Sequence, residues 1–186
     1  MKIDLVAKLK KTEDFIATYQ EGDEKASYGG RSLIFWALGN SDLRSRYEIS
    51  EMLLNKNVDV LSKNSDSDTV LHVLLGQAKN DVSKVYDLCR EFIKRGVDIN
   101  AKDRLGQTAI YSVIRMKNTD EELQSLYDLF FATPDLDLSV KDKAGVTPLR
   151  YASSRSYRTT LAERMRNYER NQNIGVYKKS RRVYCF

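Results

Sequence analysis

Hydrophobic residues recur at helical spacing in paired segments, and polar turns separate one pair from the next. One apolar stripe follows Thr108 and consists of Ile110, Val113 and Ile114. A second stripe follows a polar stretch and consists of Leu123, Leu126, Leu129 and Phe130. These spacings predict two amphipathic helices joined by a loop. Neither helix can bury its stripe alone, so neighbouring pairs must pack together.

The same turn-and-helix arrangement occurs three times at a constant interval of 39 residues. This interval separates the equivalent residues Thr69, Thr108 and Thr147, and likewise Val58, Val97 and Leu136. A lysine stands six residues before each threonine. A weaker copy begins at residues 29–38 (GGRSLIFWAL), where Ser32 replaces the threonine, 37 residues before Thr69. A regular internal repeat of this size indicates a solenoid.

Turn and capping signals divide each repeat. In KDRLGQ (102–107), Asp103 can hydrogen-bond its own backbone and Gly106 can take a positive φ. Thr108 then stands at a helix N-cap, where its hydroxyl can accept from free N–H groups. The pair Thr119 and Glu122 has the spacing of a capping box, which predicts the start of the second helix.

Three segments in register resemble ankyrin repeats: DTVLHVL (68–74), GVDINAKDRLGQTAI (96–110) and GVTPLRYA (145–152). The resemblance covers about residues 29–160. It implies an all-α ankyrin-repeat solenoid of stacked helix-turn-helix units with hairpin loops and helical caps. We therefore predict an N-terminal helical cap at 1–27, repeats at 28–172 ending in a capping helix, and a basic tail at 173–186. The predicted repeats are 28–64, 65–103, 104–142 and 143–172.

The repeats are longer than the ~33 residues usual for ankyrin units. The six extra residues lie between each threonine and the next turn, around 78–85 (AKNDVSKV) and 116–123 (MKNTDEEL). They lengthen either the helices or the loop that joins them.

Both ends fit capping roles. Apolar positions within 3–20 predict a helical pair: Ile3, Val6, Leu9, Phe15, Ile16 and Tyr19. Near the other end, a Thr160–Glu163 capping box precedes the stripe Leu161, Met165 and Tyr168. Terminal units of a solenoid need a polar outer face, and we expect one on both caps. The segment 173–186 shows no clear period and is predicted to be a flexible tail.

Composition excludes several classes of protein. With 41% hydrophobic and 31% charged residues, the chain is expected to be globular, and no stretch approaches the roughly 20 apolar residues of a membrane helix. Asp4 and several lysines make the N-terminus a poor secretion signal. The separated Cys89 and Cys185 lack metal-site spacing and indicate reduced thiols, so we predict a cytoplasmic protein without cofactor or metal.

Individual candidates for chemistry have structural explanations. His72, the only histidine, falls on the ankyrin TPLH position, where the resemblance implies a bond to the neighbouring hairpin's backbone. Three tyrosines recur at equivalent places near the start of the second helices and are expected to pack in the core: Tyr47, Tyr86 and Tyr127. The same is expected of Trp36 and Cys89. The YGGRS segment (28–32) lacks the Lys-Ser/Thr pair of a phosphate loop. Cys185, among basic residues, could be a reactive thiol.

Ankyrin proteins generally bind another protein through hairpin tips and inner helices, on a concave face. The resemblance implies the following partner-binding residues: Tyr28, Arg31, Asn40, Ser65, Asp66, Asp68, Gln77, Arg104, Leu105, Gln107, Arg115, Met116, Lys143, Val146, Ser154 and Arg155. They grade from acidic in the second repeat to basic in the fourth, which predicts a partner of complementary polarity.

The leading hypothesis is a non-enzymatic protein-binding module. By analogy with short bacterial ankyrin proteins, it extends to an immunity-type inhibitor of a cognate toxin or enzyme. The alternative is binding of nucleic acid or an acidic surface, because residues 150–186 carry ten basic and two acidic side chains. An enzyme is disfavoured because a single histidine and two separated cysteines leave few ways to assemble a nucleophile and base.

Overall fold

The computed structural model describes the backbone of residues 1–183 and the side chains of residues 1–172. Within this part of the chain lie ten α-helices, a short β-hairpin, and 3₁₀ turns at Asp23–Lys25 and Ser156–Arg158. The helices are α1 (Ile3–Leu9), α2 (Thr12–Thr18), α3 (Leu33–Leu38), α4 (Leu43–Asn55), α5 (Val70–Leu75), α6 (Val82–Lys94), α7 (Ala109–Arg115), α8 (Gln124–Ala132), α9 (Pro148–Ser153) and α10 (Thr159–Val183). The hairpin pairs β1 (Ser27–Tyr28) with β2 (Arg31–Ser32) in antiparallel fashion.

The first helices of the repeats stack in one row and the second helices lie behind them. Each first helix begins immediately after Ser32, Thr69, Thr108 or Thr147. Helix α5 packs between α3 and α7, and α7 also packs on α9, while α6 packs on α8. The apolar stripes interlock into one continuous core. The all-α ankyrin-repeat solenoid predicted from the sequence is confirmed.

The same pair of hydrogen bonds, from backbone N–H groups to one side-chain oxygen, occurs in all three long hairpin turns. The Oδ1 atoms of the equivalent residues Asn64, Asp103 and Asp142 each accept hydrogen bonds from the backbone N–H groups two and four residues later, at 2.8–2.9 Å. The residue three places on has a positive φ: 76° at Gly106, 74° at Gly145 and 64° at Ser67. The turn predicted at 102–107 is confirmed. Ser67 occupies a position at which its two equivalents are glycine.

The second helices also end in a shared way. A residue two or three places beyond the last helical residue takes a positive φ at the equivalent positions Asn57, Gly96 and Asp135. The next residue, Val58, Val97 or Leu136, is buried and returns the chain to the core. The constant interval of 39 residues therefore reflects a repeated helix stop as well as a repeated helix start.

The loop between the two helices of a repeat differs in length from one repeat to the next. This loop spans 39–42 in the first repeat, 76–81 in the second and 116–123 in the third. Thr119 and Glu122 exchange the two capping-box bonds, N to Oε2 at 2.8 Å and N to Oγ1 at 3.3 Å. Helix α8 nevertheless begins later, at Gln124. The capping box therefore closes a turn in the long loop and does not start the helix.

The threonine caps differ in chemistry. Thr147 Oγ1 accepts from Arg150 N at 3.3 Å, as a helix cap should. Thr108 is correctly placed, but its buried hydroxyl has no hydrogen-bond partner, so the predicted side-chain cap is wrong there. Backbone geometry alone starts α7.

The two ends depart from the expected caps. Ile3, Val6 and Phe15 are buried as predicted, but Leu9 and Ile16 are exposed, so the outer face of the N-terminal cap is partly apolar. At the other end the Thr160–Glu163 box is absent, because Thr160 N donates instead to Asp120 Oδ2 at 2.9 Å. Helix α10 continues to Val183, through most of the segment predicted as a tail. Cys185 lies outside the described residues.

Candidate protein-binding face

The hairpin tips and the exposed sides of α3, α5, α7 and α9 form one surface, here called the hairpin face. Backbone hydrogen bonds join the three long hairpin turns to one another along it. Arg104 N donates to Asp66 O at 2.8 Å, and Lys143 N donates to Leu105 O at 2.9 Å. Since peptide groups hold the tips together, their side chains project from a fixed frame.

Charge changes sign along this row of tips. The Asp66 carboxylate lies 3.5 Å from the Arg104 guanidinium, with both side chains about half exposed or more. Lys143 and Leu105 are also exposed, and Leu105 keeps 51% of its accessible surface. An exposed ion pair of this kind adds little to stability. Both charged groups therefore stay accessible and can exchange this pairing for contacts with a partner.

Side chains connect the tips to the helix behind them. Arg115 Nη1 donates to Gln107 Oε1 at 2.6 Å, and Gln107 Nε2 lies 3.4 Å from Asp142 Oδ2. Backbone N–H groups of Val146 and Ala144 hold the pKa of Asp142 below its usual value. Gln107 thus bridges two repeats and is only partly available to a partner.

His72 has the structural role that the ankyrin resemblance implies. Its Nδ1 accepts from Thr69 N at 3.2 Å, so Nε2 carries the proton and donates to Gln107 O at 3.0 Å. In the next repeat the equivalent residue is Tyr111. Its hydroxyl lies 2.5 Å from Val146 O, the carbonyl equivalent to that of Gln107, and burial raises its pKa to about 12. Two different side chains therefore make the same inter-repeat link.

The fourth repeat presents a basic surface. Ser154 is exposed, and Val146 is half-buried in the hairpin. The Arg155 guanidinium stacks 4.8 Å from the Tyr151 ring centroid and donates to the hydroxyl at 3.0 Å. This contact fixes the orientation of a cation at the C-terminal end of the hairpin face.

In the second repeat, Ser65 and Asp68 flank the hairpin tip, and Gln77 lies two residues beyond the end of α5. Asp68 Oδ2 accepts from Asn64 Nδ2 at 2.9 Å, while Gln77 Nε2 donates to Val73 O at 2.9 Å. Both side chains stay partly accessible. The acidic character predicted for this repeat therefore reaches the surface through Asp66 and Asp68.

In the first repeat, Arg31 lies over the Trp36 ring at 5.2 Å, and Trp36 Nε1 donates to Tyr28 O at 3.2 Å. Lys8 from the N-terminal cap approaches the same ring at 5.7 Å. Tyr28 itself donates to Asp23 Oδ1 at 2.9 Å. Trp36 is half-buried, in line with the packing role expected of it.

Two predicted contact residues are not available to a partner. Asn40 is 1% exposed, and its Nδ2 donates to Ala7 O and Lys10 O at 2.9 Å, which fastens the N-terminal cap. Met116, its equivalent in the third repeat, is 5% exposed. At this position, which follows the first helix of the repeat, the side chain faces the core. The prediction that Asn40 and Met116 contact a partner was therefore wrong.

The core aromatics and cysteine largely follow expectation. Tyr47 and Tyr127 are buried, and Tyr86 is half-buried. Cys89 is a buried free thiol whose pKa is raised by burial, which makes it unreactive.

Arg158 is a structural residue that the sequence pattern did not reveal. Its side chain is fully buried, and its guanidinium donates to Ile114 O and Asn118 O at 2.9 Å, to Met116 O and to the Asp120 carboxylate. The long loop 116–123 is thereby held against α10. Between them lies a hollow of about 600 Å³ that is lined by Arg115–Glu121, Tyr157, Thr159 and Thr160. Asp120 already occupies the N-terminus of α10, so this helix end is not a free anion site.

No protein-family model and no curated protein matches the sequence. Among solved structures, a functionally unknown protein from Leptotrichia buccalis is 25% identical, with a TM-score of 0.81 over 92% of this chain and 94% of that chain. An ankyrin repeat domain from Acinetobacter baumannii is also 25% identical, with a TM-score of 0.56 over 78% of this chain and 68% of that chain. In the described part of the chain, none of the helices has the length and apolar character needed to cross a membrane. The stacked helix pairs, the hairpins and these likenesses together give the chain the ankyrin-repeat fold.

Proposed function

We propose that this protein is a non-enzymatic module that binds a protein partner through its hairpin face. The row of hairpin tips joined by peptide hydrogen bonds carries this proposal. A surface fixed before binding loses little conformational freedom on association, which favours affinity. The charged side chains at the tips can then make ionic contacts, and the exposed Leu105 can make an apolar contact, on the same surface.

The partner is proposed to have the opposite charge polarity. The face is acidic at Asp66 and Asp68 and basic at Arg104, Lys143 and Arg155. A partner with a basic patch facing the second repeat and an acidic patch facing the fourth would be steered into one orientation. Such complementarity acts mainly on the association rate and on specificity.

Among the described residues, the side chains best suited to nucleophilic catalysis are occupied. Both nitrogens of His72 make structural hydrogen bonds, and Cys89 is enclosed in the core. The free thiol of Cys89 supports the cytoplasm as the proposed compartment. A blocking role against a toxin, in the manner of an immunity protein, would need no catalytic group and is the narrower form of the proposal.

The first experiment is affinity capture of the tagged protein from its own source at physiological and at high salt. One stoichiometric protein retained at high salt supports the module, and a toxin encoded beside it supports the immunity role. Nucleic acid captured at low salt alone contradicts the proposal and assigns function to the basic C-terminal region.

The captured partner then allows a test of the face. Asp66→Lys with Asp68→Lys should slow association at least about tenfold. The matched control is Asp87→Lys with Asp128→Lys, which makes the same charge change at exposed positions on α6 and α8. Equal rates for the two double variants would exclude the hairpin face.

A further inference from the structure

Leu105 is the one exposed large hydrophobic side chain on the three long hairpin turns, all of which lie in the described part of the chain. Its equivalents at the tips of the neighbouring turns are Asp66 and Ala144. The three turns share one geometry although this position holds an acid, a leucine or an alanine. Forming the turn therefore does not require an apolar side chain at residue 105, and the leucine contributes nothing to the core.

The backbone of Leu105 is hydrogen-bonded on both sides. Its N–H donates to Asp103 Oδ1 at 2.8 Å, and its carbonyl accepts from Lys143 N at 2.9 Å. The preceding Arg104 N donates to Asp66 O at 2.8 Å. A single exposed leucine is common on protein surfaces, but this one projects from a backbone that is fixed on both sides. A partner can bury it with little loss of backbone freedom.

Charged side chains lie next to Leu105 in both directions along the row of tips. Arg104 and Asp66 form the exposed 3.5 Å ion pair toward the second repeat, and the exposed Lys143 lies toward the fourth. Two cations and one anion therefore flank an apolar centre. Protein interfaces place apolar contacts at the centre and polar groups at the rim, where water remains. The three tips together have this arrangement.

The shape of the tip restricts what can cover Leu105. A hairpin tip is convex, and this side chain keeps 51% of its surface in water. A flat surface would cover only the end of the side chain, whereas a concave apolar surface covers it on several sides. A folded protein forms such a pocket from separate chain segments, and an extended peptide does not.

We propose that Leu105 enters an apolar pocket of a folded partner protein, and that acidic groups on the rim of this pocket face Arg104 and Lys143. The inference rests on the proposed binding through the hairpin face and specifies the partner surface that fits this face. The leucine contact forms only after docking, so it determines how long the complex lasts. The charged side chains around it steer the approach.

Binding kinetics test this role of the leucine, with the protein that the tagged chain retains at high salt as the probe. Leu105→Ala should raise the dissociation rate at least about tenfold and leave the association rate within about twofold. The turn should form as before, since the equivalent tip residue is Ala144. The matched control is Ile16→Ala, at a side chain 57% exposed on α2. An unchanged dissociation rate for Leu105→Ala, or equal changes in both variants, would overturn the proposal.

The charge-reversed variant separates this inference from the function on which it rests. If Asp66→Lys with Asp68→Lys slows association while Leu105→Ala has no effect, the hairpin face is supported and the role of the leucine is rejected. If neither change affects binding, the hairpin face itself is rejected. Retention of no protein at high salt would reject both.

Photo-crosslinking tests the shape and charge of the partner surface. A benzophenone amino acid in place of Leu105 should link, on irradiation, to more than one chain segment of the retained protein, with acidic residues beside the linked positions. The same amino acid in place of Ile16 should give no link. Links confined to one continuous segment, or equal competition by tryptic peptides and by the intact protein, would contradict a folded pocket. Linked positions without neighbouring acids would contradict the acidic rim.

Discussion

The guanidinium of Arg158 lies 3.2 Å from the carboxylate of Asp120, and water is excluded from both side chains. Asp120 also accepts from Tyr127 Oη at 2.7 Å and from the backbone of Thr160 at 2.9 Å. One buried carboxylate therefore joins the loop 116–123, helix α8 and the start of α10. Its partner cation donates to the Met116 and Asn118 carbonyls of that loop.

Asp120→Ala is expected to destabilise the protein by about 3–5 kcal/mol, because it leaves the Arg158 charge buried without its counter-ion. Chemical denaturation followed by circular dichroism measures the loss. The control is Asp87→Ala, which removes an exposed ion pair with Arg90 at 3.3 Å and should cost less than about 1 kcal/mol. Similar losses in the two variants would show that the buried pair has no special role.

Ser67→Gly is expected to stabilise the protein by about 1 kcal/mol, since Ser67 holds a φ of 64° that glycine adopts without strain. The reciprocal change Gly106→Ser should destabilise it by more. At Gly106 a Cβ would lie 3.2 Å from Lys143 N, in addition to the strain of a φ of 76°. Melting temperatures measure both effects. A lower melting temperature for Ser67→Gly would contradict the backbone argument.

The lowered pKa of Asp142 predicts an acid-dependent stability. A carboxylate whose pKa is lower in the folded state stabilises the fold above its unfolded value of about 3.8, and this contribution disappears as pH falls through the folded value. Asp142→Asn keeps the turn, as Asn64 does in the second repeat, but removes the titration. The melting temperature of the wild type should exceed that of the variant at pH 6–7, and the difference should shrink below about pH 4. A difference that does not change with pH would refute this role.

Tyr111→Phe should cost about 1–2 kcal/mol, because it removes the donor to Val146 O within a buried site. In a chain of this size the melting temperature should fall by about 2–8 °C. Tyr157→Phe is the control at a tyrosine that is 53% exposed. If both variants have the melting temperature of the wild type, the Tyr111 hydroxyl does not link the repeats.

The repeat could be predicted from sequence because identical local chemistry recurs at a fixed interval. Thr69, Thr108 and Thr147 mark helix starts whether or not their hydroxyls act as caps, and His72 lies in a recognisable motif. Tyr111 and Ser67 could not be predicted in the same way. Each performs the task of a different residue type at its equivalent position, and only the backbone reveals the shared geometry.

The burial of individual side chains was the least predictable part of the candidate site. Asn40 and Met116 follow inner helices and were expected at the surface, but the chain turns inward there. Arg158 has a basic side chain in a short turn, and nothing local distinguishes it from Arg155 or Arg166. Its burial depends on carbonyl groups about forty residues earlier. The apolar outer side of the first helix pair likewise departs from the behaviour of a typical terminal unit.

The hydrogen bonds of Arg158, which connect the third and fourth repeats, also affect how the protein unfolds. Separating the turn Ser156–Arg158 and the start of α10 from the loop 116–123 would expose a guanidinium and carbonyls of that loop in one step, so we expect these elements to open together. Amide protons of α7, α9 and the first turns of α10 should therefore exchange with solvent as a single unit.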